Sequence, residues 1–187
     1  MGFTRTELES FRDVSVPDLV GPGLKLLFVG INPGLWTAAT QTHFAHPGNR
    51  FWPALRAAGI IDREISRADG MTDADRAYLI ARGLGNTNLV NRATVRADEL
   101  TPAELREGRV RLEEFVAAHR PLVVAVAGVT AYRSAFARPK ARPGEQPEDL
   151  GGARLWVVPN PSGLNAHETA ATLAAAYAAP ARAAGII

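Results

Sequence analysis

An α/β fold, a single domain over residues 1–187 with a central, mostly parallel four-stranded sheet flanked by helices on both faces, is predicted by three features of the sequence. Four short runs, LKLLFVG (24–30), GLGNTNLV (83–90), LVVAVAG (122–128) and RLWVVP (154–159), are apolar, β-branched or bounded by glycine. The first, third and fourth are continuously apolar instead of alternating, the pattern of strands buried on both faces. Helical segments with recognisable starts lie between the runs, and strand alternating with helix implies right-handed crossovers into a parallel sheet.

Each helix start has a local cause. NRFWPALRAAG begins with Asn49 as a cap and places Pro53 in the first turn, where its missing amide hydrogen costs least. TDADRAYLIARG offers Thr72 as a cap, Asp75 inside the first turn and Gly83 past the end. TPAEL combines a capping Thr101, Pro102 at the first helical position and Glu104 three residues past the cap, which predicts a helix to about His119. The last helix is expected from about Glu168, with a kink or stop near Pro180. ARPKARPGEQPEDLGG (137–152) reads as a surface loop.

Composition narrows the function classes. Apolar residues make up 47% and charged residues 21%, as in an ordinary folded domain. Cysteine is absent, which removes disulfides, thiol nucleophiles and thiolate-held zinc or iron–sulfur centres together. No apolar stretch is long enough for a membrane span, and MGFTRTELESFRD lacks the order of a signal peptide, so a cytoplasmic protein without membrane contact is expected. The net charge of +2 suits a polyanionic partner without requiring one. His43 and His46 stand three apart, but no acidic partner accompanies them in THFAHPGN, and no metal is expected.

In parallel α/β sheets the working crevice lies beyond the carboxyl ends of the strands. The segments leaving the four runs are INPG, NRATVRADE, VTAY and NPSGLNA, so polar and glycine-containing residues gather on one edge. Ser162 in NPSG lacks the small-residue elbow of a hydrolase nucleophile. GINPG also lacks the G-x-G-x-x-G pattern and the phosphate-loop lysine, which counts against a dinucleotide or triphosphate site.

GINPGLWTAATQTHFAHPGNRFW (30–52) and VVPNPSGLNA (157–166), taken together and at this separation, resemble the mismatch-specific uracil and thymine DNA glycosylases, the Mug/TDG family of the uracil-DNA glycosylase superfamily. The resemblance runs from about Lys25 to Tyr177. It implies a flipped pyrimidine stacked on Phe44, backbone amides around Ile31 and Phe44 donating to the base carbonyls, and Asn32 positioning the attacking water. Gly34, Thr37, His46 and Asn88 fall among the implied substrate-binding positions, with His46 bonding inside the long loop. Asn160, Ser162, Gly163, Leu164 and Asn165 form the implied DNA wedge, with Leu164 as the plug. The implied partner is double-stranded DNA carrying G·U or related mispairs, bound by a monomer without a cofactor.

Some features depart from that pattern or go beyond it. Ala166 stands where an arginine often follows the wedge leucine, and Asn88 stands where uracil-selective bacterial members tend to carry lysine. Asp98, in the segment leaving the second run, is a candidate auxiliary base or partner of the sugar cation; it also precedes the Thr101 cap and suits a helix amino end. Lys25 and Lys140 lie outside both motifs, so a Schiff-base lyase step is not expected. The expected activity is monofunctional excision of uracil, most readily from G·U. The alternatives are a broader range including thymine or alkylated bases opposite guanine, a noncatalytic lesion-binding module, and a small-molecule enzyme using the same crevice.

Overall fold

The computed structural model describes residues 2–67 and 69–187. Five strands, β1 (Leu26–Gly30), β2 (Leu84–Asn88), β3 (Val123–Ala127), β4 (Gly144–Glu145) and β5 (Arg154–Val158), form one sheet in the order β2-β1-β3-β5-β4. The pairs β1/β2, β1/β3 and β3/β5 are parallel, and β4 runs antiparallel to β5. The chain leaves β1 towards β2 and then returns across it to β3, so the strand order reverses beside β1. That reversal opens a crevice at the carboxyl ends of β1 and β3.

Alternation along β1 divides the core into two layers. Leu26 and Phe28 join Leu84, Val123, Ala125 and Tyr177 on one face, under α3 (Phe51–Ala57), α4 (Asp73–Ala81) and α7 (Ala170–Ala183). Leu27 and Val29 join Val124, Val126, Leu155 and Tyr132 on the other, under α5 (Pro102–His119) and α6 (Val129–Ala135). Gly108 lets α5 lie directly on the backbone leaving β2, since a Cβ there would stand 2.2 Å from the carbonyl oxygen of Leu89.

The helix starts follow their caps. Thr101 Oγ1 accepts from the Glu104 amide while Glu104 reaches back to the Thr101 amide, and Thr72 Oγ1 accepts from the Asp75 amide. At α3 the cap position is Arg50, not Asn49, whose Oδ1 accepts from the Phe51 amide from one residue earlier.

Two further expectations need correction. The sheet has five strands, not four, because Gly144 and Glu145, inside the segment read as a surface loop, pair with Val157 and Trp156; two residues between prolines carry no periodic signal. The last helix starts at Ala170, capped by Thr169, and runs three residues past Pro180 instead of stopping there. Pro180 lies in its final turn, where the missing amide hydrogen removes one bond of the ladder.

The amino-terminal segment carries α1 (Arg5–Glu9) and a small third cluster in which Val16 packs with Leu35 of α2 (Leu35–Thr40), Ala38 and Ala93. Leu19 exchanges both backbone hydrogen bonds with Asn86, closing the outer edge of β2. A strand as polar as LGNTN is held in place by pairing on both sides.

Candidate active site

The turn after β1 fixes one side chain fully. Asn32 Nδ2 donates to the Arg92 carbonyl and to Thr94 Oγ1, both at 2.8 Å. Thr94 spends its own hydrogen on the Arg96 carbonyl at 2.7 Å, so its oxygen faces Asn32 as an acceptor. Both amide hydrogens of Asn32 are therefore committed, and Oδ1 is left as a fixed acceptor. The turn is anchored to the exit of β2, since the amides of Leu89, Val90 and Thr94 donate to the carbonyls of Gly30, Ile31 and Pro33. The amides of Ile31 and Phe44 donate to no acceptor among the described residues.

Gly30, Phe44 and Asn88 meet at the end of β1. Gly30 pairs with Asn88 across the β1/β2 ladder. A Cβ on Gly30 would stand 2.5 Å from Asn88 Oδ1 and 3.4 Å from the Phe44 ring, so only glycine lets both side chains close on the end of β1. Phe44 sits at φ +56°, a left-handed conformation that costs an aromatic residue on the order of 1–3 kcal/mol. One face of its ring stacks on Phe51, with centroids 4.0 Å apart and planes 23° apart, and Phe44 is half-buried beside the core. Behind Asn88 lies His43, buried and pushed below its ordinary pKa by desolvation.

The wedge segment is a separately organised loop. Asn160 Oδ1 accepts from the Ser162 amide, Ser162 Oγ from the Leu164 amide, and Asn165 Oδ1 from the His167 amide; Asn165 Nδ2 donates to the Asn160 carbonyl. Among the described residues Ser162 keeps its hydroxyl hydrogen and Asn160 its amide hydrogens, while the side chain of Asn165 is occupied at both ends within the loop. Gly163 packs on Gly48, and Arg50 donates to the carbonyls of Pro161 and Asn165, at 3.0 Å each. The wedge is thus braced against the loop that carries Phe44. Leu164 projects from it 86% exposed, further than any other large apolar side chain among the described residues.

The sequence from Pro17 to Pro180 matches the family model described as the uracil DNA glycosylase superfamily. The chain belongs to that superfamily. Its fold is also similar to the solution NMR structure of a candidate uracil DNA glycosylase from Methanosarcina acetivorans, with a TM-score of 0.59 at 16% identity over 89% of this chain and 96% of that one. Members of the uracil DNA glycosylase superfamily act on DNA.

Within this superfamily fold the other expected site residues are placed as follows. Gly34 caps α2 and is exposed; Thr37 is buried in that helix. His46 is exposed, accepts from the Gly48 amide and meets Trp36 edge-on, so it organises its own loop. Asp98 lies in a short 3-10 turn, 64% exposed, with its carboxylate held by both Nε and Nη2 of Arg96. It makes no hydrogen bond to Asn32, Phe44 or Asn88. The sequence carries no signal for Thr94, His43, Arg50 and Phe51 in these roles: the segment after β2 stands out by its carboxylates, and His43 by a metal-ligand spacing with His46. A hydroxyl two residues after Arg92 has no spacing signature of its own.

Proposed function

We propose that this protein is a monofunctional DNA glycosylase of the mismatch-specific uracil/thymine type, hydrolysing the N-glycosidic bond of uracil flipped out of G·U mispairs and leaving an abasic site. The observation that carries the reading is the committed carboxamide of Asn32. With Nδ2 spent on Arg92 and Thr94, Oδ1 can accept a hydrogen from a water and aim its lone pair at the anomeric carbon. An amide does not remove a proton at neutral pH, so the nucleophile is positioned, not deprotonated, and the barrier must fall elsewhere.

It falls at the leaving group. As the bond breaks, negative charge gathers on the uracil oxygens and the sugar becomes cationic. The uncommitted amides of Ile31 and Phe44 supply donors to those oxygens, and the face of Phe44 opposite Phe51 supplies the stacking surface. Each base–aromatic stack is worth about 1–3 kcal/mol, comparable to the few kcal/mol needed to extrude a mispaired base. Leu164 fills the gap left in the duplex, as apolar wedges do in kinked DNA. Gly30 and the Asn88 carboxamide packed against it, in place of a lysine, form the wall that reads the base edge.

The test is incubation of the protein with a labelled duplex containing one G·U pair, followed by hot alkali. Strand scission at the uracil position is expected. Retention of the duplex in a gel shift without scission would identify a lesion-binding module, and no interaction with DNA would overturn the reading. Parallel G·T, U·A and single-stranded substrates define the base range, with G·U expected to be cleaved fastest.

A further inference from the structure

His43 holds its place by two contacts: Nε2 stands 3.0 Å from the Pro17 carbonyl oxygen, and Nδ1 stands 3.4 Å from Asn88 Nδ2. A carbonyl oxygen only accepts, so the first contact requires a hydrogen on Nε2. Desolvation keeps the ring neutral against the opposing pull of Pro17 and Asp18, and a neutral ring with a hydrogen on Nε2 has a bare Nδ1. A bare nitrogen must face a donor. Asn88 therefore turns Nδ2 towards His43 and leaves Oδ1 against Gly30, beside the Phe44 ring. Turning the carboxamide over would set two acceptors against each other beside the buried His43 ring, where a polar group without a partner is costly.

The consequence concerns which base is read. A carboxamide rotated by 180° exchanges donor for acceptor. Left free, it would satisfy the N3–H and O4 edge of uracil in one orientation and the N3 and N4 amino edge of cytosine in the other. We propose that His43, held in its Nε2–H tautomer by the Pro17 carbonyl, is a positioning residue that locks the Asn88 carboxamide, so that the pocket accepts a 4-keto pyrimidine and rejects a 4-amino one. This rests on the glycosylase reading above and adds to it the device that spares cytosine, the ordinary partner of guanine.

The experiment uses the full chain and two duplexes carrying 2′-fluoro-deoxyuridine or 2′-fluoro-deoxycytidine, each opposite an abasic spacer so that neither base is paired and neither is readily hydrolysed. The wild type is expected to prefer the uracil duplex by about tenfold or more, the scale of one matched bidentate contact. His43→Phe, which offers Asn88 no acceptor, should bring the two affinities within about threefold of each other, since that contact no longer discriminates. His43→Gln, whose amide can donate to Pro17 and accept from Asn88, should keep the preference. A folding defect alone would weaken both duplexes together and leave the ratio unchanged. An unchanged ratio in His43→Phe overturns the lock. So does a ¹⁵N NMR spectrum placing the His43 hydrogen on Nδ1, a result that needs no folded variant. A wild type that releases uracil from G·U yet shows no preference overturns the lock alone, whereas a wild type that releases none overturns the glycosylase reading with it.

Discussion

Thr94 is the smallest side chain on which the proposed chemistry depends. It holds one of the two amide hydrogens of Asn32, and without it the carboxamide is free to swing while keeping its bond to the Arg92 carbonyl. A single hydrogen bond is worth about 1 kcal/mol, so Thr94→Val should slow single-turnover uracil release by roughly five- to tenfold and leave duplex affinity unchanged. Asp98→Asn gives the contrasting result. Its carboxylate is exposed and bound to Arg96, so the rate constant should stay within about twofold of wild type if surface ion pairs of this kind contribute little; a large loss would restore Asp98 to the catalytic machinery. At this scale the motifs mark Asn32 and Phe44 as residues at the exit of β1, and the structure places both there. They are silent where a side chain's partner is set by the tertiary fold, as with Thr94, His43 and the loop-bound side chain of Asn165.

Among the elements, the wedge loop and α5 separate function from stability. Leu164 contributes almost nothing to the core at 86% exposure, so Leu164→Ala should leave the melting temperature unchanged while weakening capture of a G·U duplex. Gly163→Ala acts through packing, because the added methyl would stand 2.6 Å from the Gly48 carbonyl oxygen and prise the wedge from the loop bearing Phe44; uracil release should fall together with affinity. Thr101→Ala removes the cap of α5 and should cost about 1 kcal/mol in denaturant unfolding, without touching the pocket. The capping partner Glu104 is held down to about 2 by the Thr101 amide and by Arg92, whose own carbonyl holds Asn32. The cap of α5 and the turn of the active site are thereby tied to one residue. Cap signals for α4 and α5 were legible because they are local. β4 was not, because a two-residue strand exists only through its partner β5.

For the whole molecule, the reversal of strand order beside β1 places the exits of β1, β2 and β5 around one crevice; three of the four main strands that create it are readable from continuous apolar runs, and the polar β2 only from its glycine-bounded place in the alternation. What the runs could not convey was the amino-terminal segment, whose Leu19 closes the edge of β2 and whose Pro17 carbonyl holds His43. The buried histidine also gives the fold a pH signature. Desolvation lowers its folded pKa below the ordinary value of 6.5, so between that value and the lower folded one the unfolded chain binds more protons. Stability from His43 is present above pH 6.5 and declines as the pH falls through this window, and denaturant unfolding of His43→Gln should lack that part of the decline. Glu104 contributes in the same direction at lower pH, its share being lost as the pH falls from 4.5 towards 2. The central claim is that a water held by Asn32 attacks a sugar whose base leaves into a bed of fixed donors. Its most direct measurement is the single-turnover rate of uracil release from a G·U duplex by Asn32→Ala, alongside the affinity of that variant for the same duplex. A fall of about a hundredfold or more in rate with affinity retained is predicted, on the scale by which preorganised polar groups lower barriers; a rate equal to wild type would contradict it.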